Sequence, residues 1–376
     1  MASSRGGRTV TMEHVATRAG VSRALVSIVM RGVPGASDEN RAAVMRAAEE
    51  LSYRPDQRAR LLGRGRSQSI GISFGLHDEN HGEMVEALYQ AVEGSGFDLI
   101  LSPNAPTRDE IRAAESLLDY RCETLVLIGT SLTRRELDEL ATYAAVIVVA
   151  RSVASPHLDV VRTDDLLGAR LATEHLIELG HQRIVHVHGA RIASAAERRA
   201  GYRASMRRAG LDTQLVEGGR TEDDGWRAGA ELLSADRVTA VFAYNDQCAA
   251  GLVARVRSHG LRVPDDIAVV GFDNTRLAAS PSLDLTTVAQ DSHAIATHVI
   301  ERAMARAETP TAPAVKVVVP PHLVYERAAA RAPRRRLRRR GRLKKDLHDD
   351  DVAKSARPSR LQGQKEVAAT ARRHAF

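Results

Sequence analysis

Residues 10–30 read Val10-Thr11-Met12-Glu13-His14-Val15-Ala16-Thr17-Arg18-Ala19-Gly20-Val21-Ser22-Arg23-Ala24-Leu25-Val26-Ser27-Ile28-Val29-Met30. The stretch divides into two short helices around a tight turn. Met12, Val15, Ala16 and Ala19 recur at helical spacing and give the first helix one apolar face. Thr11 is placed to cap it, its hydroxyl accepting a backbone N–H of the first turn. Gly20 ends it, because glycine enters the left-handed region without a Cβ clash. Ser22 caps the second helix, whose buried stripe is expected to be Leu25, Val26, Val29 and Met30. Arg23, Ala24, Ser27 and Ile28 are then left toward the open side. Two short helices joined by a short turn containing Gly form the helix-turn-helix pattern. In it the second helix lies in the DNA major groove, with its N-terminal residues at base edges. An ordinary helical hairpin inside a larger core fits the same spacing, so the flanking sequence decides.

Outward from this pair, residues 1–8 are small, polar and basic, a composition that predicts disorder. Arg31 to Ala36 is a Gly/Pro loop. Ser37 then caps a third helix that opens with Asp38 and Glu39, negative charge at the positive end of the helix dipole. Residues 9–54 thus form a small all-α module. Residues 55–68 follow Tyr53-Arg54 as a short basic helix and linker holding Arg58, Ala59, Arg60, Leu61, Leu62, Arg64 and Arg66. Arginines around two leucines suit a minor-groove wedge, with Arg on phosphates and Leu prying a base step. The leucines fit equally well as packing on the neighbouring domain.

The chain has 376 residues, enough for two or three domains. Its net charge of +7 is unevenly spread. Residues 1–68 carry a net +6, residues 329–376 a net +11, and the stretch between them a net −10. An acidic body with basic ends points to a nucleic-acid reader attached to a globular domain, not to a uniformly basic coat. Two cysteines, Cys122 and Cys248, give no disulfide framework, which suits a reducing cytoplasm. No secretory signal is visible, and the longest apolar run, Ala144 to Ala150, is too short to span a bilayer.

From residue 69 the pattern becomes apolar strands alternating with amphipathic helices. Strands are predicted from Ile70, Asp98, Thr124, Val146, Ile184, Ala240 and Ile267, and helices from Glu83, Arg108, Arg134, Asp165, Ser194, Asp223 and Gln247. The alternation predicts parallel sheets covered on both faces, in two similar α/β lobes over roughly 69–160 and 165–285. A strand and helix from Leu285 through Gln290 to Arg306 are expected to return to the first lobe, and Val317–Val319 and Leu323–Tyr325 to close the sheets. Ligands of open α/β sheets bind beyond the carboxyl ends of the strands. The residues past those ends are therefore the candidates: the loop from His77 to His81 with Asn80, then Ser102 to Asn104, Thr130, Arg151, Arg198, Asn245-Asp246 and Asp273-Asn274. After residue 328 apolar periodicity is lost, and 329–376 is expected to be a basic, disordered tail.

Other chemistry finds less support. His77 to Glu83 is rich in metal-ligand residue types, yet a strand-end loop already has a use in ligand contact, and no metal or other cofactor is expected. His186 and His188 share a strand face, which core or cleft hydrogen bonding explains. Gly71 alone is no dinucleotide fingerprint. No Ser–His–Asp or Cys–His spacing supports catalysis. Asp164 and Asp165 are expected to open a helix and cap it.

Several stretches, in order and spacing, resemble the lactose-repressor (LacI/GalR) family of bacterial transcription regulators. They are Val15-Ala16 through Gly20-Val21-Ser22 to Val26-Ser27, Tyr53-Arg54-Pro55, Leu179-Gly180-His181, Arg198-Arg199-Ala200-Gly201-Tyr202, Tyr244-Asn245-Asp246, Gly271-Phe272-Asp273-Asn274 and Leu285-Thr286-Thr287. The resemblance implies a helix-turn-helix head on a two-lobed, periplasmic-binding-protein-like effector domain over 69–328. It also implies a homodimer or tetramer on a double-stranded DNA operator, and a small molecule, often a sugar or nucleoside, between the lobes. By position, Arg23, Ala24 and Ile28 match base-reading residues, and Leu62 beside Ala59 matches the wedge. Thr11, Ser22, Ser27, Arg31, Tyr53 and Arg58 complete the expected DNA surface. Arg198, Asn245, Asp273 and Gln290 match effector contacts. The chain departs from the family at Ile28, where a polar reader is common, at Met30-Arg31, and at Asn80-His81-Gly82, where Asn-Pro-Phe is usual. An aromatic expected near Arg220 is missing, while Trp226 holds the place of a packing aromatic. Lost stacking and added charge keep an acidic or phosphorylated ligand in view. A solute-binding protein or sugar-modifying enzyme sharing the two-lobed body is the competing class.

Overall fold

The computed structural model describes residues 10–30, 32–53, 67–190, 192, 194–234, 238–326 and 328–329. The head comprises α1 (Met12–Ala19), α2 (Arg23–Met30) and α3 (Asp38–Glu50). Val15, Ala16, Val26, Val29, Val44, Ala47 and Ala48 bury one another at its centre. Gly20 has φ +69°, the left-handed stop that the sequence calls for. Ser22 Oγ accepts the Leu25 N–H at 3.2 Å, and Ser37 Oγ that of Asn40 at 3.3 Å.

Thr11 is the N-cap of α1, in a capping box with His14, whose Nδ1 accepts the Thr11 backbone N–H at 3.1 Å. One expectation for the head needs correction. Leu25 is half-exposed and outside the head core, since α2 turns Val26, Val29 and Met30 inward instead.

The body holds two six-stranded sheets. The first has strand order β11-β5-β4-β3-β1-β2, all parallel. It is built from β1 (Ser69–Ser73), β2 (Asp98–Leu101), β3 (Thr124–Ile128), β4 (Ala145–Val149), β5 (Asp159–Thr163) and β11 (Lys316–Val319). The second has order β12-β10-β9-β8-β6-β7, parallel except for the antiparallel β12. Its strands are β6 (Ile184–His188), β7 (Gln214–Glu217), β8 (Ala240–Ala243), β9 (Ala268–Asp273), β10 (Thr286–Ala289) and β12 (His322–Val324). The first lobe carries α4 (Glu79–Val92), α5 (Glu110–Asp119), α6 (Arg134–Leu140) and α11 (Ser292–Glu308). The second carries α7 (Asp165–Glu178), α8 (Ala195–Arg208), α9 (Glu222–Ser234) and α10 (Asp246–Ser258).

The chain crosses between lobes three times, from β5 to α7, from β10 to α11 and from β11 to β12. The return to the first lobe comes one element later than the sequence suggested. Strand β10 stays beside β9, and only α11 goes back, packing Ile295, Ala296, Val299, Ile300 and Ala303 against Ile70, Ile72 and Ile147. Strands β5 and β7 escape the apolar-run signal. The first opens on a charged Asp159, which is fully buried because Arg306 Nε, at 2.7 Å, and Arg302 pair with it. The second is a four-residue edge strand with two exposed ends.

Helix α4 starts four residues earlier than predicted. Asp78 caps it by accepting the His81 N–H at 3.3 Å, which moves Asn80 and His81 from a loop onto a first helical turn. Asp164 caps α7 as expected, but Asp165 turns inward and caps nothing.

Helices α9 and α10 touch through glycine. A Cβ on Gly225 would fall 1.9 Å from Cys248 O, and one on Gly251 1.8 Å from Glu222 O. Gly251→Ala should therefore lower stability to urea by about 1–3 kcal/mol, because backbone must move apart. Gly82→Ala, at an exposed helical site with nothing within 4 Å, should be neutral or stabilising by up to about 1 kcal/mol. A Gly251→Ala chain as stable as the wild type would refute the close-packed interface.

Candidate functional site

On the head, Arg23 and Ala24 stand exposed on the first turn of α2, with Ser27 and Ile28 half-buried beside them. Thr11 and Ser22 are exposed at the starts of α1 and α2. Tyr53 packs partly against the head core, and its N–H donates to Ala48 O. The expected contacts at Arg31, Arg58, Ala59 and Leu62 fall outside the described residues.

The cleft between the lobes is built at the carboxyl ends of both sheets. A deep chamber of about 40 Å³ is lined by Asp78, Asn80 and His81 from one lobe and by Arg198, Asn245 and Asp273 from the other, with Gln290 at the crossing. It shares Gly129, Ile192, Ser194 and Arg220 with an outer cavity of about 400 Å³, where Thr130 and Arg151 lie. All eight expected effector contacts thus converge on one cleft. A larger cavity of about 680 Å³ lies elsewhere, beside Tyr143, His157 and Pro310 and near the amino ends of β4 and β5. It is away from the strand ends where this architecture gathers polar groups.

The floor of the cleft is a buried charge cluster. Arg198 Nε donates to Asp165 Oδ1 at 2.9 Å, its NH1 donates to Tyr244 O at 2.5 Å, and its NH2 lies 3.6 Å from Asp273 Oδ1. The guanidinium sits over the Phe272 ring at 3.5 Å and the Tyr244 ring at 4.7 Å. Burial opposes the charge on Arg198, but Asp165, Tyr244 and Asp273 around it raise its pKa above the ordinary value. Burial pushes the carboxyls of Asp165 and Asp273 upward while Arg198 pulls them down. Asp165, with the shorter contact, supplies the counter-charge. Asp273 has φ +113°, a strained conformation for a residue with a Cβ, and Gln290 Nε2 holds its Oδ1 at 2.7 Å. Gln290 Oε1 in turn accepts from Thr163 Oγ1 at 2.5 Å.

The rim is tied as well. Ser194 Oγ donates to Ala150 O at 2.9 Å, and Arg151 NH1 donates to the carbonyls of Thr130 and Leu132. Across the other edge, the Arg276 and Leu277 N–H groups donate to Glu83 and Glu79 of α4. Sequence reasoning missed Ser194, Tyr244 and Glu110. Tyr244 adjoins a motif residue and was within reach. Glu110 orders the Thr130–Ser131 turn through three donors, and nothing in its surroundings announced that role. Trp226 is not in the cleft; it lies on α9 beneath the Arg255 guanidinium. Among the described residues no His, Cys, Asp and Glu cluster could hold a metal ion, and no helix is long and apolar enough to cross a membrane.

Asp246, behind the floor, accepts from Thr287 Oγ1 at 2.6 Å and from the Thr275 N–H at 2.8 Å, yet burial pushes it up to about 7. A carboxyl raised in the folded state lends stability that is complete below the unfolded pKa near 3.9 and is lost as pH climbs through about 7. Asp246→Asn removes that titration. Its stability relative to wild type should improve by about 1 kcal/mol or more between pH 5 and pH 8, measured by urea unfolding. A difference that stays constant with pH would contradict the raised carboxyl.

Comparison with known proteins agrees with this architecture. Residues 11–56 match the family model "Bacterial regulatory proteins, lacI family", and residues 173–328 match "Periplasmic binding protein-like domain". The HTH-type transcriptional regulator GalR of Escherichia coli K12 is 34% identical over 322 residues, covering 84% of this chain and 94% of that protein. A LacI transcriptional regulator from a Rhodococcus species superposes with a TM-score of 0.69 at 39% identity, covering 71% of this chain and all of that one. The lac repressor dimer bound to operator and the anti-inducer ONPF superposes with a TM-score of 0.75 at 26% identity, covering 86% of this chain and all of that one. With a helix-turn-helix head, two parallel-sheet lobes and a polar cleft between them, the chain belongs to the lacI family of bacterial regulatory proteins and is a DNA-binding regulator of transcription.

Proposed function

We propose that the chain is a repressor that grips a palindromic operator as a homodimer and adjusts that grip to a small molecule held in the cleft. The supporting observation is the convergence of Asn80, His81, Thr130, Arg151, Arg198, Asn245, Asp273 and Gln290 from both lobes onto one space. A ligand touching both lobes has different contacts when they open, and only such a difference can shift a conformational equilibrium. Arg23, Ala24 and Ile28 read bases from the exposed face of α2, and Thr11, Ser22, Ser27, Arg31 and Tyr53 set the head on the backbone. Arg58, Ala59 and Leu62 form the minor-groove element. A helix drawn from 55–68, most of which lies outside the described residues, would be too short to be stable alone and would need both a partner and the groove to form. Lobe movement that separates the two copies then weakens the operator complex. On this reading the cleft binds its ligand without chemical conversion, and the protein works in the cytoplasm on the nucleoid. The effector is a carbohydrate or a similar small polar molecule.

Full-length protein should select from a random duplex library, at two salt concentrations, a palindrome of two half-sites around a central pyrimidine–purine step, where unstacking is cheapest. Ile28→Ala should relax base preference at one symmetric pair of positions by removing apolar contact with a thymine methyl. Recovery of unrelated sequences with a steep salt dependence alone would mean phosphate binding without reading, and would overturn the repressor assignment.

A further inference from the structure

The first turn of α4 carries Asn80-His81-Gly82, and the structure gives this turn a chemical meaning. The Gly75 backbone N–H donates to His81 Nδ1 at 3.1 Å. A ring nitrogen that accepts carries no hydrogen, so the ring hydrogen is on Nε2. That nitrogen lies over the strand end after β3, so close that a Cβ on Gly129 would be 2.5 Å from it. Asp78 Oδ2 is 3.7 Å away, beyond hydrogen-bond reach. Charging the ring would require Nδ1 to give up the Gly75 N–H, and burial lowers the pKa of His81 in the same sense. His81 therefore offers the chamber one N–H and no charge. Beside it, Asn80 Oδ1 is a buried acceptor without a hydrogen-bond partner.

The charges around the chamber are already matched. Arg198 faces Asp165 and Asp273, and Arg220 NH1 lies 3.9 Å from Asp78. An anion at the chamber floor would meet these carboxylates in a desolvated space, since Arg151, which bonds carbonyl oxygens, lies in the outer cavity. A hydroxyl meets different terms, since its oxygen accepts from His81 while its hydrogen goes to Asn80. A carboxylate or fully ionised phosphate oxygen has no hydrogen to give.

We propose that His81 and Asn80 are specificity-determining residues that admit a neutral hydroxyl group at the chamber floor and turn away a carboxylate or phosphate there. The assignment rests on the cleft being the effector site. It argues against placing at that floor the acidic or phosphate group that the sequence left in view.

The test is calorimetric titration of the full-length chain with D-galactose, D-glucose and D-ribose and with galacturonate, glucose 6-phosphate and ribose 5-phosphate. At least one neutral sugar should bind, and its charged counterpart should bind at least tenfold more weakly. His81→Phe should cut the neutral affinity tenfold or more and narrow that ratio, while His81→Gln, which keeps a donor near the Nε2 position, should restore much of both. A charged counterpart that binds as well as its neutral parent, no binding by any neutral sugar, or an unchanged ratio in His81→Phe each overturns the proposal. Ile192→Trp, which fills the cleft, serves as the control. A sugar that still binds this variant lies outside the cleft, and then it is the cleft assignment itself that falls.

Discussion

The Arg198 guanidinium, buried between two aromatic rings and bonded to Asp165 and the Tyr244 carbonyl, is the interaction on which the rest of the body depends. It joins α7, α8 and the ends of β8 and β9 at one point. A buried cation is tolerable only when its partners are complete, and removing one member of such a group costs about 3–5 kcal/mol. Here the partners are also the cleft. Asp273 faces Arg198 on one side and Gln290 on the other, and Gln290 reaches Thr163. Thr163 ends β5 and Gln290 follows β10, so two of the three crossings between lobes meet the charge cluster directly. A ligand that rearranges hydrogen bonds at Asp273 or Gln290 therefore acts on two of the segments that join the lobes.

The rim contacts give this movement something to work against. Glu79 and Glu83 of α4 hold the backbone of 276–277, and Ser194 holds Ala150 across the opposite edge. These bonds exist only while the lobes are together. The floor groups Arg198, Asp165 and Asp273 are buried, whereas the rim is partly exposed and its hydrogen bonds can exchange with water, so breaking contacts costs less at the rim than at the floor. Such a division suits a body that pivots around Arg198 without coming apart there.

Much of this was legible beforehand, for identifiable reasons. Buried parallel strands such as Thr124–Ile128 and Ala145–Val149 are apolar runs and declare themselves. Asp159 concealed β5, because a carboxylate at a strand start reads as a loop until its two arginines arrive from a helix more than 140 residues later. The early start of α4 was hidden by His77-Asp78-Glu79-Asn80-His81, whose polarity suggests a loop and whose capping aspartate could be any of several polar residues. Leu25 was misplaced because helical spacing fixes a face but not which edge of that face meets the core. The residues that line the cleft were named through family resemblance and strand-end logic together. Neither source revealed the His81 tautomer, which depends on a backbone N–H six residues away in sequence.

If the lobes carry information from cleft to head, the two binding events must be coupled, and coupling in binding free energy is reciprocal. The decisive measurement is the affinity of the full-length chain for whichever small molecule binds its cleft, taken free and again saturated with its selected operator. The two values should differ by the same factor by which the effector changes operator affinity, about 5–150-fold for couplings of this kind. Identical effector affinities with and without operator would contradict an allosteric role for the cleft.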